Sequence, residues 1–222
     1  PPHNSVHRYE RVVIKAGSGL LTEGVGQLDF EIISSIVDQI AHLHSLGTDT
    51  LLVTSGAVAA GRHVFNKYRN RKSLPDRQVM ASVGQSRLMH VYEQSFSRHE
   101  IIVAQALLSR RDLSDRHGYL NIRNTLMTLL ERRVVPIVNE NDVVAVEEIS
   151  HVFGDNDRLS ALVANLIDAD LLIVLSDTDG LYDKDPNAFP DAQLVENVSV
   201  IDESIDQMIG KNIHPWARAG MV

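Results

Sequence analysis

Lys15 stands directly after the apolar run Val12-Val13-Ile14 and before Gly17-Ser18-Gly19, a spacing that puts a cation and a small, flexible turn at one strand end. Glycines at a strand-to-helix turn let the backbone approach an anion, and a following helix start aims free N–H groups at it, so phosphate binding is the natural chemistry. The motif is not a dinucleotide fingerprint, because Thr22 replaces the third glycine, nor a P-loop, because the lysine precedes the glycines. Taken alone it also fits an ordinary turn. Lys15 itself is harder to explain away, since an ammonium at the end of a buried strand is costly without a counter-anion. A phosphate and a resident carboxylate such as Asp157 are compatible answers, because an acid can hold the lysine until a phosphate arrives. A second group, Phe153-Gly154-Asp155-Asn156-Asp157, precedes the helical stretch 159–164. One acid or amide caps a helix; three in a row exceed that need, and the surplus can bind a metal or an ammonium. The acids Asp179, Asp183 and Asp185, with Gly180, Tyr182 and Pro186, fit turn chemistry as well as binding.

Strands must position these residues. Short apolar runs rich in β-branched residues recur at Val12–Ile14, Thr50–Val53, Val134–Val138 and Leu171–Leu175, with a weaker candidate at Ile101–Gln105. Helical spacing fills the intervals: Ile32, Ile33, Ile36, Val37, Ile40 and Leu43 form one stripe, and Leu126, Leu129 and Leu130 run into the basic pair Arg132-Arg133. Alternation of strand and helix predicts an α/β fold with parallel strands covered on both faces, and ligands gathered at the carboxyl ends of the strands. There lie the polar tips Lys15 to Gly19, Thr54-Ser55-Gly56-Ala57, Asn139-Glu140-Asn141-Asp142 and Ser176 to Gly180. The segment Arg69 to Asp76 looks like an insertion, and neither an internal repeat nor a linker divides the chain.

Composition narrows the function. The 222 residues are 44% hydrophobic and 23% charged, enough for one large core. No apolar run approaches the roughly 20 residues that span a bilayer, and the start PPHNSVHRYER lacks the apolar stretch of a secretory signal, so a soluble, cytoplasmic protein without membrane contact is expected. The absence of cysteine removes disulfides and thiolate metal sites and fits the cytosol. A net charge of −8 argues against a nucleic-acid partner. The one basic cluster, Lys67 to Lys72, reads as a solvated loop.

The segments IKAGSGLLT at 14–22, LLVTSGAVAAGR at 51–62, VGQSRLMHVYEQSF at 83–96, VVPIVNENDVV at 134–144, FGDNDRLSALVA at 153–164 and LLIVLSDTDGLYDKDP at 171–186 resemble, in order and spacing, those of the glutamate 5-kinases, a branch of the amino acid kinase family. The resemblance implies a three-layer α/β/α sandwich with a mostly parallel sheet, glutamate at one end of the strand-tip edge and ATP at the other. By matching position, Ser55, Gly56, Ala57, Asp142, Asp155 and Asn156 would bind L-glutamate. Lys15, Gly17, Ser18, Ser176 and Asp177 would bind ATP, and Lys15 and Asp157 would be catalytic. It further implies Mg²⁺, phosphorylation of the γ-carboxylate as the first step of proline biosynthesis, proline feedback and a homo-oligomer. The histidines, including His90, His99 and His151, are assigned to surface or packing roles, because a carboxylate nucleophile is ionised at neutral pH and needs no base. After Asp206 the family continues with a Gly-Thr-Gly-Gly-Met loop and a second phosphate-binding lysine, whereas this sequence reads Gly210-Lys211-Asn212 and ends at Val222. The expectation is one kinase domain over 1–222, incomplete in its C-terminal nucleotide-binding half. The alternatives are a catalytically silent glutamate- or proline-sensing domain and a related kinase acting on another substrate.

Overall fold

Every strand of the main sheet runs the same way, and helices cross back over the sheet between one strand and the next. A computed structural model describes residues 9–23, 27–65, 73–144, 156–202 and 205. In chain order the elements are β1 (Arg11–Ala16), α1 (Ser18–Leu21), β2 (Thr22–Glu23), β3 (Gln27–Leu28), α2 (Phe30–Ser45), β4 (Asp49–Val53), α3 (Ala57–Val64) and α4 (Leu74–Ser97). There follow β5 (Val103–Leu108), α5 (Arg110–Ser114), α6 (Arg116–Glu131), β6 (Val135–Glu140), a 3-10 turn (Asp142–Val144), α7 (Asn156–Leu166) and β7 (Leu171–Leu175). The sheet order is β5-β6-β4-β1-β7, all parallel, and β2 with β3 makes a small antiparallel hairpin.

Continuous apolar strands are what such a sheet requires, because both faces are covered. Val12, Ile14, Leu52 and Ile137 point to one face and pack with Ile33 and Val37 of α2 and Leu88 and Phe96 of α4. Val13, Leu51, Val53 and Val138 point to the other and pack with Leu126 and Leu130 of α6 and Leu159 and Val163 of α7. The result is the expected three-layer sandwich. The predicted stripe of α2 is buried at Ile33, Ile36, Val37 and Ile40, and Asp29 starts that helix by accepting the N–H groups of Glu31 and Ile32. Beyond α6, Arg132 is the cap residue and Arg133 takes a left-handed φ of 61°.

Three expectations shift. The weak strand lies at Val103–Leu108 rather than Ile101–Gln105, because Ile101 still closes the end of α4 by donating to Phe96 O at 3.2 Å. The strand expected to end at Val138 continues to Glu140, with Asn139 opposite Leu107 and Glu140 opposite Leu108. The apparent insertion is shorter than Arg69 to Asp76, because Ser73 caps α4, accepting Asp76 N–H, and Pro75 sits in the first turn. The basic cluster at 67–72 lies outside the described residues.

Helices α3 and α4 touch backbone to backbone. A Cβ at Gly84 would fall 1.7 Å from Ala57 O, and one at Gly61 would fall 1.9 Å from Met80 O. This close crossing fixes the start of α3, and with it the β4 tip, against α4.

Candidate functional site

The carboxyl ends of β1, β4, β6 and β7 share one edge of the sheet, so their tips converge as the parallel topology demands. The β4 tip is held on both sides. Thr54 donates its N–H to Val138 O at 2.9 Å, and its buried hydroxyl shares a 2.8 Å hydrogen bond with Tyr92 of α4. Gly56 then takes a φ of 98°, a conformation costly for any other residue, and α3 begins at Ala57 with no side chain capping its first turn.

Asn156, the first residue of α7, reaches across to this tip. Its Nδ2 donates to Thr54 O at 2.6 Å, Ser55 Oγ at 2.7 Å and Asn139 Oδ1 at 3.0 Å. Asn139 in turn donates to Gln85 Oε1 of α4 at 2.7 Å. Two of the expected substrate residues, Ser55 and Asn156, are therefore in direct contact, 101 positions apart in sequence.

Beside them, Lys15 is 6% exposed and forms an ion pair with Asp157 in the first turn of α7. Gly17 folds close over the lysine: a Cβ there would stand 3.2 Å from Lys15 Nζ, and its N–H donates to Leu175 O at 3.3 Å. Gly19 abuts the β7 tip, where a Cβ would lie 2.9 Å from Asp177 Oδ2, and Ser176 donates to Asp177 Oδ1 at 3.2 Å. Ser18 opens α1, its carbonyl accepting the Thr22 hydroxyl at 2.7 Å. The lysine thus separates a side-chain amide cluster from a glycine-and-acid tip, both within its neighbourhood.

Asp142 lines a neighbouring cleft of about 550 Å³ with Gln85, His90, Glu93 and Glu140. Burial raises its carboxyl above the usual range, opposed by Arg77. The Glu140 carboxyl is pushed up to about 7, first by burial and then by the charge of Asp142, with Arg77 opposing. His90 is an exposed residue on the rim, and His99 is an outer residue hydrogen-bonded to Asp38 at 2.7 Å. Asp155 and His151 lie outside the described residues. Past β7 the acids do turn work: Asp183 Oδ1 accepts from Gln193 N–H at 2.8 Å and Asp185 Oδ1 from Asn187 N–H at 2.9 Å. Among the described residues no three acids or histidines are grouped to hold a metal ion.

Sequence reasoning set Asn139 and Glu140 on a polar strand tip at the ligand edge without giving them a role, and missed Gln85 as a member of the site. A signal existed for Gln85, which is a polar residue on the buried stripe Ala81, Leu88, Tyr92 and Phe96 of α4.

Against known proteins, the amino acid kinase family model matches residues 10–221, running on past Asp206 where the motifs give out. The chain is 51% identical to the glutamate 5-kinase of Dehalococcoides mccartyi over 215 residues, 96% of this chain and 58% of that one. It is 47% identical to the glutamate 5-kinase of Caldanaerobacter subterraneus over 200 residues (90% and 53%) and 47% identical to that of Dictyoglomus turgidum over 205 residues (92% and 55%). The chain spans little more than half the length of these curated relatives.

Proposed function

We propose, because this chain belongs to the amino acid kinase family, that it transfers the terminal phosphoryl group of ATP to the side-chain carboxylate of L-glutamate, the substrate in its relatives' names. The observation that carries this reading is the buried Lys15–Asp157 pair set beside the Ser55–Asn156 contact at one sheet edge. Ser55, the N–H groups of Gly56 and Ala57, Asn156, Asp142 and Asp155 bind glutamate. Lys15, Gly17, Ser18, Ser176 and Asp177 bind ATP, with Lys15 at the phosphates, and Lys15 and Asp157 are the catalytic pair.

The residues fit these groups. A buried lysine whose ammonium has only a glycine, and no side chain, folded over it at Gly17 suits a phosphate, and Mg²⁺ would enter with the nucleotide phosphates. When bound, Mg²⁺ neutralises charge on the phosphates. The γ-carboxylate, with a reference pKa near 4.3, is already a nucleophile and needs no base. Its oxygen forms the new bond to phosphorus as the bond from phosphorus to the ADP oxygen breaks, giving γ-glutamyl phosphate and ADP. The obstacle is bringing an anion to a polyanion, which Lys15 offsets while Ser55 and Asn156 fix the attack geometry. Asp157 holds the ammonium in place between turnovers.

The same reading makes the reaction the opening of proline biosynthesis, with proline as feedback inhibitor, a homo-oligomer as the working form and the cytoplasm as its place. No helix among the described residues is long and apolar enough to cross a membrane. Incubating the protein with ATP, Mg²⁺, L-glutamate and hydroxylamine tests the proposal: wild type forms the hydroxamate of the acyl phosphate, and Lys15→Ala does not. Glutamate binding with no hydroxamate would instead make this a ligand-sensing domain, and turnover of another carboxylate alone would make it a different kinase of the family.

A further inference from the structure

Asn156 spends both protons of its side-chain amide inside the protein. Three acceptors, Thr54 O, Ser55 Oγ and Asn139 Oδ1, share its two N–H bonds, so only its Oδ1 is left for a ligand. Asn139 is held the same way round by two neighbours. Its Oδ1 accepts the Glu140 backbone N–H at 2.9 Å, a group with no freedom to flip, and its Nδ2 donates to Gln85 Oε1 at 2.7 Å. Reversing any one of these amides would set like groups against each other: donor against donor at Gln85, acceptor against acceptor at Asn156, and both at Asn139. Both Gln85 and Asn139 are buried, at 8% and 3% exposure, so water does not substitute for a lost partner cheaply.

We propose that Gln85 is a positioning residue that fixes, through Asn139, the polarity of the substrate pocket: Asn156 presents an acceptor, and Ser55, whose oxygen takes an Asn156 proton, presents its hydroxyl proton. The inference rests on the proposed reading of Ser55 and Asn156 as glutamate contacts. L-Glutamate at neutral pH has one donor, its α-ammonium, which faces Asn156 Oδ1, and a carboxylate oxygen faces the Ser55 hydroxyl. The row thereby selects an amino acid over a plain dicarboxylate.

The test measures calorimetric Kd and steady-state KM and kcat for L-glutamate, and inhibition by glutarate, which lacks the ammonium. Gln85→Met keeps the length of the side chain and removes the acceptor; KM and Kd for glutamate rise about tenfold, kcat stays within about twofold, and the preference for glutamate over glutarate falls about tenfold. Gln85→Glu keeps the acceptor and holds KM within about threefold of wild type. In an Asn156→Ala background, Gln85→Met adds less than about twofold, because its effect runs through Asn156. Circular dichroism melting shows which variants are folded. Equal losses in the Met and Glu variants would make the Gln85 N–H a direct ligand contact and overturn the proposal, as would an unchanged KM in Gln85→Met or full additivity with Asn156→Ala. Wild type that binds glutamate without turning it over sinks the kinase reading and leaves the Kd series to decide this one; wild type that does neither overturns both.

Discussion

Deleting the Asp157 carboxylate leaves the Lys15 ammonium in place with its counter-charge gone. The side chains of Lys15 and Asp157 are only 7% and 15% exposed, so neither is screened as a surface pair would be. Breaking a buried pair from one side costs about 3–5 kcal/mol, because an uncompensated charge stays behind. Asp157→Ala is therefore expected to lower unfolding stability by about 4 kcal/mol. Asp157→Asn, which keeps a hydrogen-bond acceptor for the lysine, recovers roughly 1–2 kcal/mol of that. The double variant Lys15→Met/Asp157→Leu removes both charges and lies within about 2 kcal/mol of wild type despite carrying one more substitution. Urea titrations followed by circular dichroism give these differences from the midpoints at a constant slope. Raising the salt to 0.5 M leaves the order unchanged if the pair is buried as described. Inorganic triphosphate stabilises Asp157→Ala more than wild type, since the freed ammonium takes the anion. A loss below about 1 kcal/mol in Asp157→Ala, or a double variant less stable than it, would refute the claim that the two charges depend on each other.

Glu140, its carboxyl pushed up to about 7 by burial, keeps a proton that the unfolded chain has released above about 4.5, so its contribution is complete below that pH and is lost as pH rises through 7. Full burial would make this about 3 kcal/mol and partial solvent access roughly 1–2, measured as the pH dependence of the urea midpoint that Glu140→Gln flattens. Gly84→Ala forces a methyl into Ala57 O and separates α3 from α4, costing about 3 kcal/mol or more and raising KM for glutamate by moving the β4 tip; thermal melts and kinetics on the variant check both. Gly56→Ala, at a φ of 98°, costs about 1–2 kcal/mol in the same melts, whereas Ala60→Gly on the following helix costs about 2, roughly half from propensity and half from the buried methyl it removes.

What the sequence could convey followed from how each element is buried. Strands β1, β4 and β7 were legible because a strand covered on two faces is apolar throughout, and α2 because one face alone is buried. The close meeting of Ser55 with Asn156 and of Lys15 with Asp157 followed from strand ends and a helix start that parallel topology must bring to one edge. Helix α4 was harder. Its buried face includes Ala81, Gly84 and Gln85, small residues that let α3 approach and an amide that hydrogen-bonds Asn139 rather than adding apolar area, so its stripe is faint. The end of β6 was misjudged for a related reason: Asn139 and Glu140 look like loop residues because the ladder there serves the site, and polar side chains replace the apolar pattern. The hairpin of β2 and β3 has two residues per strand, too few for an alternation to register.

Strand β1 takes β4 on one side and β7 on the other. The first partner follows it closely in the chain, whereas the second begins only at Leu171. A ribosome adding ~5–20 residues per second needs on the order of 6 to 24 s to go from one to the other. Through most of that interval β1, an interior strand of the future sheet, carries an open hydrogen-bonding edge and a lysine whose carboxylate partner, on α7, has not yet been made. The nascent chain is thus open to wrong pairing along β1, and slow synthesis between residues 50 and 170 would lengthen the period in which a chaperone must shield it.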